Sequence, residues 1–344
     1  MLLLDAMDEK MLSESVECLE KDRSDVLKNG VVLRALIEYK GLKNTKMEAK
    51  SLSSLEYSCS FMKIGVLEDR DEKFINDAMA RLPGSEFVKF GVTDVPLKKM
   101  YDVLIDRLSF QNEFLRPIVK MYSLKGTYVI NNPFSSGCDD KCVQNQICER
   151  LGIPIPKTVL VPPIHKEEDY RDIVEDIDWG VFKNFPLILK PYDGYAWDDV
   201  YTVRSPGEIG NLLSLTGSRK VFIAQECVKY DTYLRCFCIN KREVLFIEYD
   251  PARRAYLKSE LKQIDSLKPQ LTEWMIKLND ALDYDINTVE WAIKDGNAIM
   301  IDAFNEVPEV LPQSIPQDYY KWIVDKFVEC VNDKFGKRNK MIFG

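Results

Sequence analysis

The sequence predicts a mixed α/β protein in which short apolar strands alternate with helical or looped connections. Three observations carry that prediction. Strand-like apolar runs recur along the chain, among them residues 61–67, 101–105, 185–190 and 221–228. Segments with helical character lie between and after them, notably 141–151, 206–215 and 318–335. Residues 287–305 read as two apolar strands around an Asp-Gly turn, each carrying a carboxylate where a core residue is expected.

Taken in order, residues 8–45 show helical periodicity, with Leu12, Val16 and Leu19, then Val26, Val31, Leu33, Leu36 and Ile37, set among charges. The polar stretch Ser51-Leu52-Ser53-Ser54 reads as a loop. Residues 1–58 form a predicted helical N-terminal extension, whose role is packing on the core, dimerisation or a partner surface. A strand from Phe61 follows, then a helix over 73–82, a strand over 86–92, a turn through Pro96 and a strand over 101–105. That alternation predicts a small sheet, parallel in part. Its last strand runs into Asp106-Arg107-Leu108-Ser109. Ligands of open α/β sheets bind beyond the carboxyl ends of strands, so Arg107 and Ser109 are candidate substrate contacts; an Asp-Arg surface pair is the alternative.

Residues 126–134 read as a strand ending in a turn, and Asp139-Asp140 caps a helix over 141–151. An extended, proline-marked crossing occupies 153–158, and helices are predicted at 168–182 and 206–215. Three apolar strands lie at 185–190, 221–228 and 244–251. The last helix, 318–335, carries Ile323, Phe327, Val328 and Val331 at spacings that suit a core face.

Composition removes whole classes of function. At 344 residues the chain is long enough for two or three packed domains, and 46% apolar with 30% charged residues describes an ordinary globular protein. A net charge of −8 argues against broad nucleic-acid binding. No run approaches the length of a membrane span, and the first residues lack the basic start of a secretion signal. Nine cysteines form no Cys-x-x-Cys pair, which suits reduced thiols in the cytoplasm. With His165 the single histidine, histidine triads and multi-histidine metal centres are nearly excluded.

The carboxylate hairpin is the chemically loudest feature. If its loop is Asp295-Gly296-Asn297, Glu290 stands directly opposite Asp302, and two like charges at that spacing repel. A divalent cation between them removes the repulsion, and Mg²⁺ is commonly held by one or two carboxylates plus substrate phosphates. Asn305 adds a neutral oxygen just past the second strand. A surface hairpin with solvated acids is the alternative, and a two-residue loop would set Glu290 opposite Ile301 instead.

Upstream, a lysine ends an apolar strand at Lys190 and a Gly-containing turn follows; then comes a strand exit at Gln225-Glu226-Cys227-Val228, and finally the acidic hairpin. With Asn131-Asn132-Pro133-Phe134, Asp139-Asp140-Lys141, Leu189-Lys190-Pro191-Tyr192-Asp193-Gly194 and Asn287-Thr288-Val289-Glu290, this order resembles ATP-grasp enzymes of the glutathione-synthetase-like kind. The nearest resemblance is to a group of stand-alone bacterial members, over roughly residues 60–330. It implies an ATP-grasp fold with a small α/β domain (59–138) before the ATP-grasp domain (139–344), whose lid occupies about 157–228.

The resemblance also implies roles. ATP and Mg²⁺ (or Mn²⁺) are the expected cofactors. Lys190 and Lys141 serve as phosphate charges, and Asp193 and Gly194 stand where the family carries a phosphate-covering loop, here with one glycine. Gln225, Glu226 and Val228 fall at the adenine-reading hinge, and Asp231 is a ribose candidate. Glu290, Asp302 and Asn305 are the metal ligands. The family commonly places its acid two residues before the asparagine, where this chain has Ala303; here the acid is three before. Arg235, a charge inside an apolar strand, and the loop residues Arg253 and Arg254 are carboxylate or acyl-phosphate clamps, with structural pairing as the alternative. The activity implied is carboxylate–amine ligation through an acyl phosphate, on an amino acid, peptide or related small carboxylate, without nucleic acid or membrane partners. An ATP-grasp kinase and a non-catalytic ATP-binding assembly or chaperone protein are the rivals.

Overall fold

The computed structural model describes residues 62–340 apart from short stretches at 69–71, 83, 92–94, 96–97, 136–139, 164–173, 195–197 and 217–219. The expected helical extension at 1–58 and Asp139 of the expected cap lie outside the described residues.

Three sheets make up the described molecule. The first contains β1 (Lys63–Leu67), β2 (Glu86–Phe90), β3 (Val103–Asp106) and β4 (Tyr128–Ile130), all parallel in the order β2-β1-β3-β4. Its central strands are apolar on both faces, as a parallel sheet covered on both sides requires. Helices α1 (Lys73–Met79) and α2 (Leu115–Leu124) flank it. Helix α3 (Lys141–Arg150) follows, and the Asp140 carboxylate accepts from the Cys142 and Val143 N–H groups at 3.0 and 2.8 Å, so the sequence-predicted cap is present.

The second sheet is antiparallel, β5-β8-β6-β7, built from β5 (Thr158–Val161), β6 (Leu187–Pro191), β7 (Tyr201–Val203) and β8 (Phe222–Glu226), with helix α4 (Pro206–Thr216) on its core side. Leu187, Leu189, Phe222, Ala224 and Val203 fill that core, so Ile188, Lys190, Ile223 and Gln225 fall on the opposite face.

The third sheet is also antiparallel. Strands β9 (Thr232–Ile239), β11 (Glu248–Asp250), β12 (Ala255–Leu257), β13 (Ile286–Lys294) and β14 (Asn297–Asp302) run in the order β12-β11-β9-β13-β14, and β10 (Glu243–Leu245) pairs with β9. Helix α5 (Lys268–Leu282) covers one face over Leu234, Cys236, Val289 and Trp291. Helix α6 (Gln317–Asp333) buries Ile323, Val324, Phe327 and Val331 in a core shared with β9, β1 and α1, and the Phe74 and Phe327 ring centroids are 5.0 Å apart.

The expected continuous helix at 168–182 is corrected where it is described. Residues 174–176 are helical, a bend follows at Ile177, and a 3₁₀ turn spans Trp179–Val181. The Val174 carbonyl that a continuing helix would use accepts from the Trp179 indole at 2.7 Å, and the Asp178 side chain caps Gly180. Helices α2 and α5 had no counterpart in the sequence reading. The expected strand at 244–251 is broken at Phe246-Ile247 into β10 and β11, both paired with β9.

Candidate active site

The hairpin differs from its expected form in a way that preserves its chemistry. Lys294 pairs with Asn297, so the loop is the two residues Asp295 and Gly296, at φ +49° and +74°. Positive φ at both central positions is what a tight I′-type turn demands, and Asp-Gly supplies it. Regular pairing from there would set Glu290 against Ile301. A bulge after Trp291 adds one residue to β14, and Glu290 stands opposite Asp302.

Helix α3 approaches this pair end-on. Lys141 Nζ lies 3.6 Å from Asp302 Oδ2 and donates to the Gly194 carbonyl at 3.2 Å, while the Lys141 N–H donates to Tyr192 O. One turn on, Gln144 Oε1 accepts from Ala303 N–H at 3.2 Å. The helix start is thereby fixed both to the turn after β6 and to the segment after β14. Asn287 fastens that segment from beneath: its Oδ1 accepts from Asn305 N–H at 2.7 Å, and its amide donates to Ala303 O at 2.9 Å.

Lys190 reaches toward the same place from the second sheet. Burial, with the Lys141 charge beside it, lowers its pKa to about 8, against the pull of Asp302 and Glu290. Arg235, on β9 opposite Glu290, places Nε 3.5 Å from Glu290 Oε1, with its guanidinium over the Tyr249 and Tyr256 rings at 5.5 and 5.9 Å. Tyr233 donates its hydroxyl to Glu290 Oε2 at 2.5 Å. Burial, then the Glu290 charge, holds that phenol's pKa well above its usual value, so it stays a donor.

The donor set fits a hard divalent cation. Asp302 Oδ1 is buried with no hydrogen-bond partner, and the closest cations to the two acids stand at 3.5 and 3.6 Å, beyond a good hydrogen bond. Among the described residues no group of three or more acidic, cysteine or histidine side chains holds a metal alone. Two carboxylates completed by substrate phosphates are the usual arrangement for Mg²⁺, and Asn305, three residues past Asp302, is fixed by its N–H bond to Asn287 Oδ1.

Other sequence candidates divide into those near this centre and those apart from it. Gln225 is buried on the Lys190 face and donates to Thr158 Oγ1 at 3.2 Å; Glu226 N–H bonds Lys157 O at the strand exit, and Val228 packs on Tyr233 and Tyr249. Asp193 and Gly194 form the turn that meets Lys141. Asp231 is apart, at the hairpin tip, bonded to Lys294 Nζ and Asp295 N–H. Arg253 and Arg254 sit on the exposed β11–β12 turn, Arg253 beside Asp250 and Arg254 at φ +52°. Arg107 is buried and bound to Glu72 and the Pro308 carbonyl, and Ser109 bonds Asp106. Tyr233 and Gln144 were missed. A period-2 reading puts Tyr233 on the Arg235 face of β9, and helical spacing puts Gln144 beside Lys141.

Neither a family model nor a curated protein matches the chain in sequence. Solved structures do match in shape. The D-alanine–D-alanine ligase from Bacillus anthracis complexed with ATP is 20% identical with a TM-score of 0.59, covering 79% of this chain and 98% of that one. The VanG D-Ala:D-Ser ligase from Enterococcus faecalis is 14% identical at 0.60, over 80% and 100%. The ATP-grasp ligase PsnB, complexed with minimal precursor, Mg and ADP, is 13% identical at 0.55, over 78% and 98%. The chain has the ATP-grasp fold. No helix among the described residues is long and apolar enough to cross a membrane.

Proposed function

We propose that the protein is an ATP- and Mg²⁺-dependent carboxylate–amine ligase that works through an acyl phosphate, with an amino acid, peptide or related small carboxylate as substrate. The observation that carries this reading is the convergence of Lys141, Lys190 and Arg235 on the opposed pair Glu290 and Asp302, drawn from three separate elements. The structural neighbours named above include ligases with ATP, or with Mg and ADP, which supports the same cofactors here.

The bound cation would supply charge neutralisation on the phosphates and would be held by Glu290, Asp302 and Asn305. Lys190 and Lys141 bring positive charge to the same phosphates. Gln225, Glu226 and Val228 border the strand exit where the base would lie, and Asp193-Gly194 would cover the phosphates. The charge of Arg235, held over two tyrosine rings, is available to a substrate carboxylate or to its phosphorylated form. Catalysis of this kind is positioning plus electrostatics, and no side-chain nucleophile is required. The domain division at 138/139, with a lid over about 157–228, is part of the same proposal.

Incubation with Mg²⁺, ATP, a pool of small carboxylates and hydroxylamine tests it. Hydroxamates, ADP and inorganic phosphate are expected. A phosphorylated small molecule accumulating without free phosphate means a kinase, and no nucleotide turnover with any pool means the non-catalytic binding role. The exposed pair Arg253 and Arg254 is thin provision for a polyanionic kinase substrate.

A further inference from the structure

We infer that Tyr233 is a positioning residue that keeps Glu290 from chelating a cation with both oxygens, and so tunes the site toward Mg²⁺ over Ca²⁺. The inference rests on the proposed metal role of Glu290. Its observation is geometric. Glu290 Oε2 accepts the Tyr233 hydroxyl at 2.5 Å, while Oε1 faces Arg235 Nε at 3.5 Å, an ion pair that is too long to use up the oxygen's lone pairs.

The phenol is not free to swing away. Its ring meets Tyr230 edge-on at 5.1 Å and Tyr249 at 6.5 Å, and it packs with Ala292 and Val228. Ala292 is also its cross-strand partner, two residues along β13 from Glu290, so the hydroxyl reaches the carboxylate diagonally across the sheet. One lone pair of Oε2 is therefore taken by a rigid donor, and the phenol oxygen at 2.5 Å crowds that side of the carboxylate against a cation. Oε1, with the orphaned Asp302 Oδ1, remains for a cation.

That asymmetry matters because the two ions ask for different things. Mg²⁺ takes near-octahedral geometry with one or two carboxylates and retains waters, whereas Ca²⁺ favours more oxygens and readily takes carboxylates bidentately. A Glu290 limited to one oxygen suits the first ion. Removing the phenol hydroxyl frees Oε2, lowers the precision of the Mg²⁺ site and opens a bidentate mode for Ca²⁺.

The test is cation binding to the full chain with a non-hydrolysable ATP analogue, read by the electron paramagnetic resonance of Mn²⁺ and by its displacement with Mg²⁺ or Ca²⁺. Tyr233→Phe is expected to weaken Mn²⁺ and Mg²⁺ binding by roughly 10-fold or more, the usual effect of losing an outer-shell partner, and to shift the Ca²⁺/Mg²⁺ affinity ratio toward Ca²⁺. Tyr230→Phe, a ring neighbour without a bond to Glu290, is expected to leave both unchanged. A general loosening of the fold would lower all affinities without moving the ratio, which overturns the inference. So does an unchanged Tyr233→Phe in which Glu290→Gln still loses metal, an outcome that leaves the metal site standing. If Glu290→Gln binds Mn²⁺ normally, the metal site and this inference fall together. Should Tyr233→Phe not fold, the parent protein decides: Ca²⁺ binding as tight as Mg²⁺ overturns it.

Discussion

Two clusters of opposed charges lie in this protein, and they are finished differently. Around Asp285 the charges are in close contact: Lys334 Nζ is 2.6 Å from Oδ1, Tyr128 donates to Oδ2 at 2.9 Å, and Asn240 Oδ1 accepts from Lys334 at 3.0 Å. Lys334 also lies over the Tyr128 ring at 5.3 Å. Burial works against the Lys334 charge, yet the Asp285 carboxylate outweighs it and raises its pKa. Around Asp302, the cations stand off, one carboxylate oxygen has no partner, and Lys190 carries a depressed pKa. The first cluster joins β4, the start of β13 and the end of α6. The second is short of partners, and a site short of partners is one built to receive a ligand.

The sharpest way to break that contrast is to cut one member from each cluster. Glu290→Ala or Asp302→Ala is expected to abolish turnover with the unfolding midpoint unchanged or raised. Normal turnover in Glu290→Ala would remove the carboxylates from the mechanism. Lys334→Met should do the reverse, costing about 3–5 kcal/mol of stability by leaving Asp285 buried and unpaired, with turnover per folded molecule retained. Chemical denaturation measures the first effect and specific activity of the folded fraction the second.

Lys190 sharpens the comparison further, because it should oppose function to stability. Lys190→Met is expected to weaken binding of Mg²⁺ with an ATP analogue by about 1.5–3 kcal/mol by calorimetry, the range for a hydrogen bond to a charged group. It should also raise the unfolding midpoint, since a lysine with a pKa of about 8 is held charged at pH 7 against a penalty on the order of 1–3 kcal/mol. The sign follows from the window. Between pH 8 and the ordinary lysine value of 10.5 the unfolded chain binds more protons than the folded one, so the parent's stability rises with pH there, and the mutant's advantage shrinks across it. An advantage that stays flat from pH 7 to 10.5 would contradict the buried-lysine account.

A smaller consequence concerns protons. Nucleotide phosphates beside Lys190 raise its pKa, so binding at pH 8 should take up about half a proton per nucleotide. Calorimetry in buffers of different ionisation enthalpy reads that uptake, and Lys190→Met should lose it. The smallest expected effect is at Asp231, whose partners are Lys294 and the hairpin turn. Asp231→Asn should leave nucleotide affinity unchanged, and a marked loss would restore it as a ribose contact.

What the sequence made legible follows the strength of the local signal. The strand ending in Lys190 was readable because a charge in an apolar run is rare, and the Asp140 cap because its side chain acts within three residues. The Glu290–Asp302 pairing follows in the sequence only from a three-residue loop; the turn is two residues long, the stated alternative, and a bulge supplies the missing residue. Nothing in a period of two announces a bulge. Helix α5 was missed although Leu271, Met275, Leu278 and Leu282 mark its buried face. The helix expected at 168–182 is interrupted where the Trp179 indole takes the Val174 carbonyl, a local competition that periodicity does not register. Tyr233 was invisible as a functional residue because its role depends on a diagonal contact across two strands 57 positions apart in the chain.

The extra residue in β14 also changes what lies next to what along the floor of the site. A bulge lets two consecutive residues oppose one, and Ile301 packs with Tyr233, Tyr249 and Ala292 while its neighbour Asp302 faces Glu290. Greasy surface and acid thus come from adjacent positions of one strand, where strict alternation would have kept them on opposite sides. A template of fixed offsets, looking two places before Asn305, finds Ala303 and sees no acid. Counted from the turn instead, strict pairing lands on Ile301, and only the inserted residue brings the acid opposite Glu290, so the site is defined by positions in space rather than by spacing along the chain.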